Sequence, residues 1–190
     1  GSLDGNNIKD FLTDEVFSAL ADAGINNMFY SVDRWTKGTA NPKIEKALDL
    51  CEKYGIGYVV EAFYIDAQIG TRTQDIPLED MPLSGDNGQQ ELQELFDEIT
   101  QNGERDCVIG LLACDEPFPR QLDNLGVLSD VFDSLEGTGQ ANLYMNMVGR
   151  WEGENNFWGQ SDPITWEDYI DSVFENVNLK MLSFTQYPYS

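Results

Sequence analysis

The sequence predicts a mixed α/β domain built on a parallel sheet. Segments with helical and strand periodicity alternate along the 190 residues, which is typical of parallel strands joined by crossover helices. The strand candidate 107–114 is apolar almost throughout, as expected of a parallel strand covered on both faces. Asp115 and Glu116 follow it directly, and in (β/α) barrels the chemistry lies where such strands end. Glu116 is therefore the first candidate for a proton-transferring group.

The composition argues against several classes of function. There are 34 acidic and 11 basic residues, and the formal charge of -23 makes nucleic acid an improbable partner because phosphate binding needs a basic surface. The chain has no histidine, so it can build neither a Ser-His-Asp triad nor a histidine-based zinc site. Acid/base chemistry must therefore come from carboxylates. No apolar run reaches membrane-spanning length, and Cys51, Cys107 and Cys114 are expected to be buried free thiols.

Five helices are predicted from capping signals and from apolar residues that share one face. Thr13 and Asn41 are the expected N-caps of the first two, which Gly24 and Gly55 end. Thr165 begins a capping-box pattern before the fifth, and the third and fourth are indicated by their apolar faces. In order, the predicted helices cover 13–24, 41–55, 89–101, 120–135 and 165–177.

Five predicted strands alternate with these helices. They cover 27–32, 58–63, 107–114, 142–147 and 181–187. Two long segments carry neither pattern. Residues 65–88 are predicted to form a polar loop, and residues 149–164 an aromatic-rich loop.

The number of elements suggests an incomplete barrel. A complete (β/α)8 barrel typically needs about 250 residues, so roughly three strands would be missing from this chain. We therefore expect residues 1–190 to form a single incomplete (β/α) barrel domain. The alternative is a complete, open, doubly wound sheet.

Several motifs in this order are similar to those of a known group of enzymes. Asp115-Glu116-Pro117 and the segment 182–188 resemble glycoside-hydrolase-like TIM barrels of the clan A type. Segment 20–26 is similar to the turn before the second barrel strand, 46–56 to the helix and turn before the third, and 142–146 to the fifth strand. The resemblance covers nearly the whole chain in register. It implies an α/β fold made of strands 2 to 6 of a TIM barrel, without the first strand and the last two βα units.

The resemblance also implies an activity. It suggests a glycosidase that acts on a carbohydrate without a cofactor or metal, at an extracellular or cell-surface location. Many clan A enzymes have Asn before the acid/base Glu, whereas this chain has Asp115. Their nucleophilic carboxylate normally ends the seventh strand, so we expect the nucleophile outside this fragment and the fragment to be inactive alone.

Glycoside hydrolysis requires two carboxyl groups, which in retaining enzymes stand about 5 to 5.5 Å apart. Glu116 fits the role of proton donor, since a partly apolar pocket favours the acid form of a carboxyl group. Asp115 is expected to orient the substrate or Glu116. The alternative is that Asp115-Glu116-Pro117 is a solvated turn in which Pro117 ends the strand.

Other candidate site residues stand at predicted strand ends. Asp33, Arg34 and Trp35 follow the second barrel strand, where Asp33 could accept hydrogen bonds from sugar hydroxyls and Arg34 could hold a neighbouring carboxylate. The alternative for this segment is a surface salt bridge beside a packing aromatic. Glu61 lies among apolar residues and is expected either to face the barrel mouth or to pair with a cation. Asn146 could bind a hydroxyl or its own turn.

Aromatic residues supply the remaining candidates. Trp151, Phe157 and Trp158 in the loop 149–164 could stack on sugar rings. Gln186 and Tyr187 end the last strand, where Tyr187 could hydrogen-bond a catalytic carboxylate or simply pack on the barrel rim.

Three functions remain open from the sequence. The preferred hypothesis is a retaining glycoside hydrolase. The second is a non-catalytic carbohydrate-binding barrel that lacks the second carboxylate. The third is a divalent-cation-dependent lyase or aldolase with oxygen ligands, drawn from Asp33, Glu61, Asp115 and Glu116.

Overall fold

Five parallel strands form one sheet in the computed structural model, which describes residues 11–29, 33–70, 76–147, 149, 165–181 and 183–184. The strands are β1 (Asn27–Phe29), β2 (Gly57–Val60), β3 (Val108–Asp115), β4 (Asn142–Met147) and β5 (Ser183–Phe184). They lie in the sheet in chain order, and each neighbouring pair is parallel. A doubly wound sheet reverses its strand order part-way along. The doubly wound alternative is therefore wrong for the described strands.

The sheet is strongly curled. The rings of Phe29 in β1 and Tyr144 in β4 lie 5.6 Å apart between centroids, although two strands separate them. On a flat sheet these positions would be about 14 Å apart, since neighbouring strands are about 4.8 Å apart. The contact across two intervening strands shows that the sheet is curled into a half-barrel. Both rings lie on its concave face.

The two faces of the sheet have different surroundings. One face packs against the helices in a single hydrophobic core, which includes Tyr58, Val60, Leu111, Leu143 and Met145. Strand residues alternate between faces, so the neighbouring positions in each strand line the concave side. These are Phe29, Val59, Leu112 and Tyr144.

The described residues include six α-helices. They are α1 (Asp14–Asp22), α2 (Pro42–Tyr54), α3 (Phe63–Ile69), α4 (Gly88–Thr100), α5 (Leu122–Asp133) and α6 (Trp166–Asn176). The five predicted helices are confirmed to within a few residues. Contacts link α1 with α2, α4 with α5, and α5 with α6. None of the described helices combines the length and the apolar character needed to cross a membrane.

The predicted capping residues act as expected. The Thr13 hydroxyl accepts a hydrogen bond from the Val16 N–H, and the Asn41 side chain accepts from the first turn of α2. Gly55 ends α2 with φ of 64°, the left-handed conformation that glycine adopts without strain. Thr165 and Asp168 form the reciprocal bonds of a capping box at α6. Local chemistry therefore sets these four helix ends.

The predicted long loop over 65–88 is wrong in its first part. Strand β2 ends at Val60, and α3 follows after two residues. A seven-residue helix is unstable alone, and α3 is held by tertiary contacts. The Gln68 side chain accepts from the Leu83 N–H at 2.9 Å, while Asn124 of α5 donates to the Gln68 carbonyl at 3.0 Å. The predicted strand 58–63 is also too long at its end, because Phe63 begins α3 and long-range packing sets that helix.

The cysteines are all free. Cys51 and Cys107 are buried and Cys114 is half-buried. Burial raises the pKa of Cys51 to about 12 and also raises the pKa of Cys107, so both remain thiols at neutral pH.

Strands β3 and β4 approach each other so closely at Gly110 that a side chain there would clash. A Cβ atom at Gly110 would lie 2.2 Å from the Asn142 carbonyl oxygen. We expect Gly110→Ala to lower the free energy of unfolding by about 3 kcal/mol, since overpacking a rigid contact is costly. Urea denaturation measures the change. Gly85→Ala is the matched control, because its Cβ would meet nothing nearer than 3.3 Å. Equal stability of the two variants would contradict the β3–β4 geometry.

Candidate active site at the carboxyl edge of the sheet

The chain after β1 rejoins the sheet beside the end of β2. Trp35 forms an isolated parallel bridge with Ala62. The Trp35 N–H donates to the Glu61 carbonyl at 2.7 Å, and the Phe63 N–H donates to the Trp35 carbonyl at 3.0 Å. These bonds bring Arg34 and Glu61, which are 27 residues apart in sequence, to the same point on the carboxyl edge.

Arg34 pairs with two carboxylates at this point. Its Nε lies 2.5 Å from Glu61 Oε1, and its Nη1 lies 2.8 Å from Asp66 Oδ2 in α3. The second contact is an ion pair without hydrogen-bond alignment, because Asp66 Oδ2 has no hydrogen-bond partner among the described residues. Glu61 is only 8% exposed, so it needs a cationic partner and has one in Arg34. The Arg34 guanidinium also lies 5.4 Å from the Phe63 ring centroid.

A cavity of about 170 Å³ connects these residues to the end of β3. It brings together three predicted site residues, Arg34, Glu61 and Asp115. Asp66 also lines it, together with Ile69, Gly70, Leu112, Cys114 and Gln121. Three carboxylates and one guanidinium therefore face one small space at the ends of β2 and β3.

Asp66 was not predicted as a site residue, because it lies in the segment expected to be a loop. Its burial raises the pKa of its carboxyl group. The Arg34 charge opposes that shift, and the Glu61 charge adds to it. The sequence signal that could have located Asp66 is its position, five residues after Glu61 and six residues after the end of the buried strand β2.

A second cluster of polar side chains spans β3, β4 and β5. Asn146 Nδ2 donates to Asp115 Oδ1 at 2.8 Å, and the Ser183 hydroxyl donates to Asn146 Oδ1 at 2.9 Å. The Tyr144 hydroxyl lies 2.8 Å from Ser183 Oγ. Asn146 therefore binds side chains of both neighbouring strands. Tyr144 and Ser183 were missed, although the alternation in 142–147 places Tyr144 and Asn146 on one face.

Glu116 follows Asp115 in an unusual backbone conformation. Its φ is 53°, and the only other described non-glycine residues with positive φ are Gln101 and Asn102 at the end of α4. Its N–H donates to the Asn146 carbonyl at 2.7 Å, which continues the β3–β4 pairing by one residue. Left-handed backbone at a bulky residue costs about 1 kcal/mol or more and is found often at functional sites.

The turn after Glu116 is anchored from the helix layer. Pro117 is buried, and its carbonyl accepts a hydrogen bond of 3.1 Å from the buried Tyr169 hydroxyl of α6. Glu116 itself is half-buried, and it does not line the 170 Å³ cavity that Asp115 faces. The two adjacent carboxylates therefore have different surroundings.

Asp33 and Trp35 fit the structural alternative given for them. Asp33 is exposed, with Oδ1 accepting from the Arg34 N–H at 2.9 Å and Oδ2 3.8 Å from Lys43 Nζ. Trp35 is 2% exposed, and its Nε1 donates to Glu98 of α4 at 3.0 Å. The Trp35 ring is a core contact that is closed to a ligand in this structure, and it fixes the segment that carries Arg34.

The remaining predicted site residues lie outside the described part of the chain. They are Trp151, Phe157, Trp158, Gln186 and Tyr187. Within the described ranges, no three acidic, cysteine or histidine side chains come together in a way that could hold a metal ion.

Comparison with protein-family models and with curated proteins gives no match to this chain.

The pKa values of the two aspartates near Arg34 are shifted in opposite directions, so we expect opposite effects of pH on their contributions to stability. Burial raises the pKa of Asp66, so its ionisation opposes folding as the pH rises above about 4, near the ordinary value of 3.8. The Arg34 N–H holds the pKa of Asp33 below that value, so the Asp33 charge stabilises the fold above about pH 4 and this contribution is lost in acid.

Substitution of each aspartate checks these signs. We expect Asp66→Asn to raise the Tm relative to wild type at pH 7 and to leave it unchanged at pH 3. Asp33→Asn should lower the Tm at pH 7, with the difference vanishing in acid. Thermal unfolding from pH 3 to 7 gives both curves. Differences of the same sign at pH 7 would contradict this account of the site electrostatics.

Proposed function

We propose that the chain forms strands 2 to 6 of a (β/α)8 barrel and that this barrel is a retaining glycoside hydrolase, which acts on a glycan and is located outside the cell or on its surface. Glu116 serves as the general acid/base, and the nucleophile lies outside these residues. The observation that carries the proposal is the acid-rich group of side chains on one carboxyl edge of a curled parallel sheet. In (β/α) barrels that edge carries the active site.

The shape of the sheet supports the barrel. Five parallel strands in chain order, curled until Phe29 and Tyr144 touch, match the geometry of consecutive barrel strands. Both outer strands carry large exposed apolar side chains, with Phe29 of β1 at 43% and Phe184 of β5 at 50%. Further strands added at these edges would cover them and close the barrel.

The turn after β3 supports Glu116 as the proton donor. Its backbone is fixed on one side by the bond to the Asn146 carbonyl and on the other by Pro117 and the Tyr169 hydroxyl. A proton donor must be held within hydrogen-bond reach of the leaving oxygen. A left-handed residue whose backbone is held on both sides projects its side chain in a defined direction. A proton donor requires such a fixed direction.

The neighbouring polar groups are suited to hydroxyl recognition. Asp115 and Asp66 offer carboxylate acceptors around the 170 Å³ cavity, and Arg34 offers guanidinium donors. Asn146 is bonded to Asp115 at this edge, and we assign it to the same surface. The predicted aromatic platforms and polar groups outside the described residues, Trp151, Trp158, Gln186 and Tyr187, complete the proposed glycan site.

A non-catalytic carbohydrate-binding barrel is the second candidate, and one observation favours it. Glu61 and Asp66 both pair with Arg34, and Asp115 is bonded to Asn146. Each of these carboxylates is committed to a partner, so the role of nucleophile is unfilled among the described residues. A binder would keep the same hydroxyl-binding surface without turnover.

Replacement of Glu116 separates these functions. In the full-length protein we expect Glu116→Gln to lower kcat/KM on unactivated glycosides by about 10²-fold or more, the usual contribution of a general acid. The kcat/KM of this variant on nitrophenyl glycosides should fall far less, because nitrophenolate leaves without protonation. Steady-state kinetics on both substrate types, with isothermal titration of a non-hydrolysed oligosaccharide, provides the measurement.

Glu104→Gln is the matched control, since Glu104 is exposed in the loop before β3, at the opposite edge of the sheet. It should leave both activities unchanged. An equal loss on the two substrate types would remove Glu116 from the acid role. Glycan binding by the wild-type protein without any turnover would establish the non-catalytic alternative.

A further inference from the structure

The register of three strands places a row of polar residues at the carboxyl edge. Asp115 of β3 is paired with Asn146 of β4, and Asn146 is paired with Ser183 of β5. Tyr144 precedes Asn146 by two residues and therefore lies on the same face of β4. The side chains are joined by contacts of 2.8, 2.9 and 2.8 Å, from Asp115 through Asn146 and Ser183 to Tyr144.

The direction of every hydrogen bond in this row follows from the carboxylate at its end. An ionised Asp115 can only accept, so the Asn146 amide must turn its NH₂ group towards Asp115. Its Oδ1 then faces Ser183, which must donate to it. The Ser183 proton is used in that bond, so Tyr144 must be the donor in the contact between the two hydroxyls.

Asn146 is in contact with both carboxylate residues of the turn. Its side chain holds Asp115 Oδ1, and its backbone carbonyl accepts the N–H of Glu116 at 2.7 Å. An amide free to rotate by 180° would present its oxygen to the Asp115 carboxylate, and the two acceptors would repel each other. The hydroxyl of Ser183 prevents this rotation because it donates to the amide oxygen.

We infer that Tyr144 and Ser183 are positioning residues, which fix the Asn146 amide so that it orients Asp115 beside Glu116. The catalytic consequence rests on the proposed function, whereas the orientation of the amide does not. Neither residue needs to touch a substrate. Their effect on turnover passes through Asn146.

A matched pair of substitutions at Ser183 isolates the hydroxyl. Thr and Val have nearly the same shape, and both suit a strand, but only Thr can donate to Asn146. With ¹⁵N-asparagine labelling of the full-length protein, the ¹H–¹⁵N heteronuclear NOE of the Asn146 side chain should be high in wild type and in Ser183→Thr. It should fall in Ser183→Val. Equal values in the Thr and Val variants would overturn the inference.

Tyr144→Phe gives a graded second test. Ser183 keeps its proton for Asn146 in that variant, so the NOE should fall less than in Ser183→Val. If Tyr144→Phe had the larger effect, the donor order derived above would be wrong. The Thr and Val variants must unfold at similar urea concentrations, so that a difference in NOE reports the hydroxyl and not the fold.

Kinetics on an unactivated glycoside then separates this inference from the proposed function. If the protein is a hydrolase, Ser183→Val should lower kcat/KM roughly tenfold, the scale of one hydrogen bond lost from a site, and Ser183→Thr should restore it. A difference in NOE without any hydrolysis in wild type would leave the positioning role intact and reject the hydrolase. Hydrolysis with equal rates in the Thr and Val variants would reject the positioning role alone.

Discussion

The curvature of the parallel sheet is the constraint on which the rest of this structure depends. Strands that follow one another in space as they do in sequence carry their crossover helices on one face, and the sheet bends around the opposite face. The contact between Phe29 and Tyr144 across two strands measures that bend. Because the strands are parallel, their carboxyl ends lie at one edge, and the bend draws the side chains at those ends towards each other.

The helix layer supports this edge through polar contacts. Glu98 of α4 accepts hydrogen bonds from the Trp35 indole N–H and from the Gly38 N–H. These bonds fix the segment that presents Arg34. The Tyr169 hydroxyl of α6 holds the Pro117 carbonyl behind Glu116. Such bonds contribute about 1 kcal/mol each to stability. Their larger effect is to place groups that are far apart in sequence at defined positions along the edge.

Local signals in the sequence predicted much of the fold. The caps at Thr13, Asn41 and Thr165 and the apolar run before Asp115 each use chemistry that extends over only a few residues. Helix α3 could not be found in this way, because its stability comes from contacts with residues of α5 and of the segment before α4. Asp66 lies in this helix, and it was therefore not predicted as a site residue.

Part of the site could also be predicted from local signals in the sequence. Arg34, Glu61 and Asp115 follow strands, and the cavity brings them together. The burial of Trp35 depends on α4, and the roles of Tyr144 and Ser183 depend on strand register, which single-sequence patterns do not specify. Function was harder to derive than fold, since it depends on side-chain directions at the ends of several strands.

The most direct test of this account is the distance between the Phe29 and Tyr144 rings in solution. In the full-length protein with selectively labelled aromatic residues, the curled sheet predicts strong NOE cross-peaks between the two rings, whose centroids are 5.6 Å apart. A flat sheet would separate these positions by about 14 Å. The absence of these cross-peaks from well-resolved spectra would contradict the half-barrel, and with it the site at its carboxyl edge.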